Sequence, residues 1–288
     1  MLINGRSTTQ IDALDRGLCY GDGLFETVAV IEGQPQLWQQ HIERLSNGCR
    51  RLGMTMPAET LLRQDIQSLY RERSRDQRLP QRLVAKIIVT RGTGGRGYRI
   101  TAAADCSRVI SLFDWPDYPP AHGEGISVRW CNTRLGLNPA LAGIKHLNRL
   151  EQVMARNEWQ DDRIAEGLML DSQGHVIEGT MTNLFIVANN QLQTARLDHC
   201  GVAGIVRQLI CADSIQHGLS VCEQGLTKDD VLAADEVFVC NSLIGIWPVT
   251  RIDDPQTPQD FAVGPVSRRI SILLQQFSTH EAALSSRR

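Results

Sequence analysis

The sequence predicts a two-domain α+β protein, and three observations predict it. Strand-like and helical periodicities succeed one another through the first 115 residues. A proline-rich stretch, DWPDYPPAHGE at 114–124, then interrupts both patterns, and beyond it short apolar runs separated by regular turn signals read as an antiparallel meander closed by a helix. The expected division is a small α+β domain at 1–115, a linker at 116–124 and a larger domain at 125–288 with an antiparallel-rich sheet or barrel and helices.

The first domain opens with a strand and turn at Leu2-Ile3-Asn4-Gly5. Tyr20-Gly21-Asp22-Gly23 gives a tight turn before a strand over Phe25 to Ile31. Trp38, Ile42, Leu45, Cys49 and Leu52 recur at helical spacing, so 37–52 is an amphipathic helix that carries His41 and Arg44 on one side. A second helix follows Pro57 with the stripe Leu62, Ile66, Leu69 and Tyr70, and RERSRDQR at 71–78 reads as its solvated end or a loop. Strands over Leu83 to Thr90 and Arg108 to Trp115 flank the run RGTGGRGY at 91–98.

That run contains G-x-G-x-x-G at Gly92, Gly94 and Gly97, the dinucleotide fingerprint, directly after a strand. The fingerprint binds pyrophosphate only where a helix starts to receive it, and YRITAAADCSRVISLF turns back into a strand instead. A flexible hairpin is therefore expected here, with no nucleotide site.

In the second domain a strand at Ile126 to Trp130 precedes NPALAGIKHLNRLEQV at 138–153. Lys145 sits where this Gly/Pro/Asn-rich approach meets a helical stripe of Leu147, Leu150, Val153 and Met154. The chain has three lysines, Lys86, Lys145 and Lys228, among 30 basic residues, so amines for amine chemistry are scarce. The meander follows as Gly167 to Asp171, Val176 to Val187 and Gln191 to Ala195. Glu178 interrupts its apolar pattern, and a carboxylate there requires a cation or donors.

Gly201-Val202-Ala203-Gly204 runs into the helical stripe Ile205, Val206, Leu209 and Ile210. Glycines before a helix start expose backbone N–H groups and the positive end of the dipole, a ready anion site. A short helix at Asp229 to Ala234 and a strand at Glu236 to Cys240 lead to Asn241-Ser242. The stripe Val266, Ile270, Leu273, Leu274 and Phe277 closes the domain.

Composition narrows the function. A net charge of -2 argues against nucleic acid or an anionic membrane as partner and leaves small molecules. The N-terminus lacks a signal-peptide pattern and no apolar run is long enough to span a membrane, so a soluble cytoplasmic protein is expected. Eight cysteines scattered without a C-x-x-C pair read as reduced thiols rather than metal ligands or disulfides.

A scarce amine, a carboxylate inside a sheet, a helix-start anion site and an arginine on a helix are what pyridoxal phosphate requires. The segments YGDGLFET, HIERL, AGIKHLNRLEQV, IEGTMTNLF, AGIVRQ and ADEVFVCNS carry a resemblance that covers nearly the whole chain. It resembles the fold-type IV pyridoxal-phosphate enzymes, the group of branched-chain and D-amino acid aminotransferases. Within that group RGTGGRGY and KHLNRLEQV are similar to the 4-amino-4-deoxychorismate lyases.

The resemblance implies pyridoxal 5'-phosphate as cofactor, a homodimer, and a lyase that turns 4-amino-4-deoxychorismate into 4-aminobenzoate and pyruvate for folate biosynthesis. The alternative it leaves is an aminotransferase acting on branched-chain or D-amino acids. It makes Lys145 the Schiff-base lysine and Glu178 the partner of the pyridine nitrogen. Arg44, the amides of Ile205 and Val206 and the Ser242 hydroxyl fall where the phosphate is held. Arg91, Arg96, Tyr98 and Asn241 are candidates for binding substrate.

Overall fold

The computed structural model describes residues 1–76, 81–100, 105–216 and 219–285. Among the described residues the chain divides into two compact units, one made of Met1–Pro116, Ile144–Asn148 and residues 281–285, the other of Asp117–Gly143 and Arg149–His280. The segment Ile144–Asn148 therefore groups with the first unit, where the sequence places it in the larger domain.

The first unit contains β1 (Leu2–Ile3), β2 (Arg6–Ser7), α1 (Arg16–Tyr20), β3 (Gly23–Ile31), β4 (Gln34–Pro35), α2 (Trp38–Leu52), α3 (Glu59–Asp76), β5 (Arg82–Thr90) and β6 (Ser107–Asp114). Its six strands form an antiparallel sheet in the order β2-β1-β6-β5-β3-β4. Strand alternation sends Leu24, Val28 and Val30 of β3 and Leu83, Ala85, Ile87 and Val89 of β5 to one face. There they pack with Trp38, Ile42, Leu45 and Cys49 of α2 and Leu62, Ile66 and Leu69 of α3. Gly53, left-handed at φ 60, ends α2. The run read as a solvated end or loop is helical through Asp76, and Gln77 and Arg78 lie outside the described residues.

The second unit contains a 3-10 turn at Pro120–Gly123, β7 (Ile126–Leu135), α4 (Leu150–Arg156), β8 (Ile164–Asp171), β9 (Val176–Gly179), β10 (Asn183–Ala188), β11 (Gln191–Ala195), α5 (Ile205–Gln216), β12 (Val221–Gln224), α6 (Lys228–Leu232), β13 (Glu236–Asn241), β14 (Gly245–Ile252), β15 (Gln259–Asp260) and α7 (Pro265–Ser285) as far as His280. Its nine strands run β12-β11-β10-β13-β14-β7-β8-β9, with β15 on β14. Because β9 pairs with both β8 and β10, six strands close into a barrel whose interior holds Val128, Leu168, Leu184, Val239 and Val249. The side chain of Phe277, last of the C-terminal stripe, is outside the described residues.

Two expectations are corrected here. The run Val176 to Val187 is two strands, because the buried Glu166 carboxylate gathers the N–H groups of Gly167, Thr180 and Met181 and the hydroxyls of Thr180 and Thr182. Those five donors hold a tight turn that breaks the strand. The stripe Leu150, Val153 and Met154 is more than half exposed in this chain, and α4 instead buries Gln152 and Ala155.

Candidate active site

Lys145 is held by backbone pairing rather than by a helix start. The Phe25 N–H donates to the Lys145 carbonyl at 3.1 Å and the Leu147 N–H to the Gly23 carbonyl at 3.0 Å, with Leu24 and His146 bridged between them. Antiparallel register places Lys145 opposite Phe25, so both side chains leave the same face of the sheet. The Lys145 Nζ lies 4.3 Å from the centre of the Phe25 ring. The Lys86 Nζ lies 5.6 Å from the centre of the same ring, so two of the three lysines lie against Phe25.

The neighbouring residue Glu26 points to the other face and is 1 % exposed. The Arg44 guanidinium grips it in a fork, Nε to Oε1 at 2.8 Å and Nη2 to Oε2 at 2.5 Å. The His41 Nδ1 stands 2.6 Å from Oε2. Burial pushes the Glu26 carboxyl up, but the Arg44 charge and hydrogen bond, then His41, outweigh it and leave it at about 2. Burial dominates at His41 and lowers it despite Glu26, with the Arg44 and Lys145 charges adding to the fall. The imidazole is therefore neutral. Sequence reasoning found Arg44 and His41 but passed over Glu26. Its signal, a carboxylate amid apolar strand residues, is the same one that marks Glu178.

In the second unit Glu178 is 4 % exposed. Its Oε2 accepts the Val202 N–H at 2.8 Å, and its Oε1 faces the Gln152 amide at 3.4 Å. The Arg149 charge also acts on it. Asn183 Nδ2 donates to the Val202 carbonyl at 2.9 Å, so both sides of that peptide are fixed. Gly143 pairs with Gly201 and Ala203 alongside.

This strap ends at α5. A Cβ on Gly204 would lie 2.0 Å from Asn183 Oδ1, so only glycine fits the entry. The amides of Ile205 and Val206 stand in the first turn of α5, where an α-helix supplies no acceptor, and both residues are buried. Buried first-turn amides need an acceptor, and with the helix dipole they suit an anion.

The remaining candidates divide. Arg91 is buried and committed to structure, donating to Asp22 Oδ2 and to the carbonyls of Gly53 and Leu52 at the end of α2. Asn241 Oδ1 accepts the N–H groups of Leu243 and Ile244, and its Nδ2 donates to the Met181 carbonyl. Ser242 is partly buried in the same turn. Arg96 is exposed, and Tyr98 is 85 % exposed with its ring edge-on to Tyr20. No cluster of three metal-ligating side chains occurs among the described residues.

The family model described as amino-transferase class IV matches residues 23–252. The chain belongs to this family. An aminodeoxychorismate lyase from Vibrio harveyi is 37% identical over 270 residues, covering 93% of this chain and 97% of its own. A putative branched-chain-amino-acid aminotransferase from Methanocaldococcus jannaschii is 30% identical, covering 93% and 92%. Among solved structures, the 4-amino-4-deoxychorismate lyase from Pseudomonas aeruginosa superposes with a TM-score of 0.86 at 41% identity, covering 96% of this chain and 98% of that one.

Class IV aminotransferase relatives use pyridoxal 5'-phosphate, and so does this enzyme. The donor set fits that group. The first unit offers the Lys145 amine beside an aromatic ring. The second offers the buried Glu178 carboxylate and the first-turn amides of α5, which suit a phosphate.

Proposed function

We propose that the enzyme converts 4-amino-4-deoxychorismate into 4-aminobenzoate and pyruvate, a step of folate biosynthesis. The observation that carries this is the likeness to lyases: 37% and 41% identity over nearly the full chain, against 30% or less for the aminotransferases. Lys145 is the amine that holds the cofactor, and Glu178 keeps the pyridine nitrogen protonated. Arg44, the amides of Ile205 and Val206 and the Ser242 hydroxyl are the groups that the family resemblance assigns to the phosphate.

When bound, pyridoxal phosphate supplies an electrophilic carbonyl and a ring that accepts electrons. The residues around it do the rest. The Lys145 Nζ would take the proton from the substrate carbon that bears the nitrogen. The carbon–oxygen bond to the enolpyruvyl group breaks with its electron pair leaving on oxygen, the substrate ring becomes aromatic, and the released enolate takes up a proton at carbon to give pyruvate. The Phe25 ring holds the resulting Lys145 ammonium, an attraction of about 0.5–2 kcal/mol. Lys86, 5.6 Å from the same ring, adds a second cation beside Phe25, which suits a substrate with two carboxylates. Arg96, Tyr98 and Asn241 remain the substrate-contact candidates, and Arg91 acts through structure.

The protein works on a small molecule as a cytoplasmic homodimer. Leu150, Val153 and Met154, exposed at i, i+3 and i+4 on α4, support self-association, and eight free cysteines suit a reducing compartment. The deciding assay incubates the holoenzyme with aminodeoxychorismate and no keto acid. Equal amounts of pyruvate and 4-aminobenzoate, with the visible cofactor band unchanged afterwards, support the lyase. Conversion of the cofactor to its amine form and dependence on a keto acid would establish an aminotransferase instead.

A further inference from the structure

The three glycines at 92, 94 and 97 are explained by a clamp. Gly92 adopts φ +84 and a Cβ there would lie 2.1 Å from the Asp105 carbonyl oxygen. Gly97 adopts φ +94. A Cβ on Gly94 would lie 2.7 Å from Arg16 Cδ, so the glycine is what lets the arginine cross the loop.

Arg16 is 5 % exposed and every part of its side chain is engaged. Its Nε donates to Asp22 Oδ2 at 2.8 Å, its Nη1 to the Gly97 carbonyl at 2.9 Å, and its Nη2 faces the Tyr98 carbonyl at 3.4 Å. The guanidinium lies 4.9 Å from the centre of the Tyr20 ring. The Tyr20 hydroxyl accepts the Gly97 N–H at 3.0 Å, and the Tyr20 ring meets Tyr98 edge-on at 5.5 Å. The loop backbone is tied at its near end too: Arg16 N–H to the Gly92 carbonyl, Gly94 N–H to the Leu14 carbonyl, and a bridge between Asp15 and Thr93.

Asp22 joins the two ends of this arrangement, because its Oδ2 also accepts Arg91 Nε at 2.7 Å. Burial pushes the Asp22 carboxyl up, and hydrogen bonds from Arg91 and Arg16 with their charges outweigh it, leaving it below its ordinary value. The hub is therefore ionised at neutral pH. Arg91 fixes where the loop leaves β5, and Arg16 fixes where it ends.

We propose that Arg16 is a positioning residue for substrate binding: with Asp22 and Tyr20 it clamps the loop 91–98 so that Arg96 and Tyr98 are presented in one fixed arrangement. This rests on the lyase reading, in which those two side chains meet a substrate that carries two carboxylates. Arg16 touches neither substrate nor cofactor. Its effect is to spare the substrate the cost of ordering the loop.

The test compares the holoenzyme with Arg16→Met, Arg16→Lys and Tyr20→Phe, reading trypsin cleavage after Arg96 by mass spectrometry alongside KM and kcat. In Arg16→Met cleavage speeds up about 10- to 100-fold, the opening expected on loss of charge-assisted hydrogen bonds. KM for aminodeoxychorismate rises by about 10-fold or more on the same grounds, while kcat and the visible cofactor band hold. Lysine restores the Asp22 contact but not the fork, so Arg16→Lys lies between. Tyr20→Phe removes one hydrogen bond, shifts both readings in the same direction by less, and serves if Arg16→Met does not fold.

Cleavage unchanged in the variants overturns the clamp. Faster cleavage with unchanged KM overturns its role in substrate binding. A wild-type enzyme that releases no pyruvate from aminodeoxychorismate overturns the proposed function and the substrate half of this inference, while the cleavage rates still decide the clamp.

Discussion

Replacing Glu26 by alanine should damage the first unit more than most single changes. The carboxylate is 1 % exposed and is the shared partner of Arg44 and His41. Its removal leaves the Arg44 guanidinium, 9 % exposed, without its fork in the interior. Breaking a buried ion pair from one side costs about 3–5 kcal/mol. The acidity of Glu26 gives an independent figure: a carboxyl moved from 4.5 to about 2 contributes roughly 3 kcal/mol.

The sign follows from the direction of the shift. A carboxylate with a depressed pKa contributes stability that is complete above about pH 4.5 and is lost as pH falls toward 2. His41, lowered from 6.5 by burial, acts in the same direction, since below pH 6.5 the unfolded chain takes a proton that the folded one refuses. Denaturant unfolding at pH 7 and pH 4 measures both. Glu26→Ala should lose about 3–5 kcal/mol at pH 7, and the loss should shrink as the pH falls below 4.5. A change under about 1 kcal/mol, or a loss independent of pH, would refute the assignment of Glu26 as a buried, charged hub.

Three further outcomes are expected. Gly204→Ala drives a Cβ into Asn183 Oδ1 and displaces the start of α5, so equilibrium dialysis should show cofactor affinity falling by about 10-fold or more with the loss of phosphate hydrogen bonds. Glu166→Gln puts an NH2 group among five donors, and denaturation should show a loss of about 1–3 kcal/mol. Glu178→Gln keeps the shape beside Val202 but removes the charge proposed to favour a protonated pyridine nitrogen. Cofactor should remain bound while turnover falls by about 100-fold or more; an unchanged rate would contradict its role.

Residues whose signal is local were legible in the sequence. Glu178 stands out because a charge interrupts an apolar strand pattern, and the glycines before Ile205 mark a helix start by their chemistry. Glu26 carried the same signal within YGDGLFET. What escaped depends on distant partners. Nothing near Arg91 reveals that the carbonyls of Leu52 and Gly53 claim it, and the apparent stripe from Leu147 begins late because Lys145 and Leu147 pair with Phe25 and Gly23 through an isolated antiparallel bridge. The break at Thr180 to Thr182 is imposed by Glu166, and the closed barrel by the pairing of β9 with β10, both of which are contacts rather than periodicities. The scarcity of lysine nonetheless pointed to Lys145 without any tertiary knowledge.

That scarcity allows a direct test of the central assignment. Borohydride reduction of the holoenzyme locks the cofactor onto whichever amine holds it, and peptide mapping then locates the label among three lysines. The label should fall on Lys145, with none on Lys86 or Lys228, and Lys145→Ala should abolish both label and turnover. Label on Lys86 or Lys228, or full labelling and turnover in Lys145→Ala, would contradict the account.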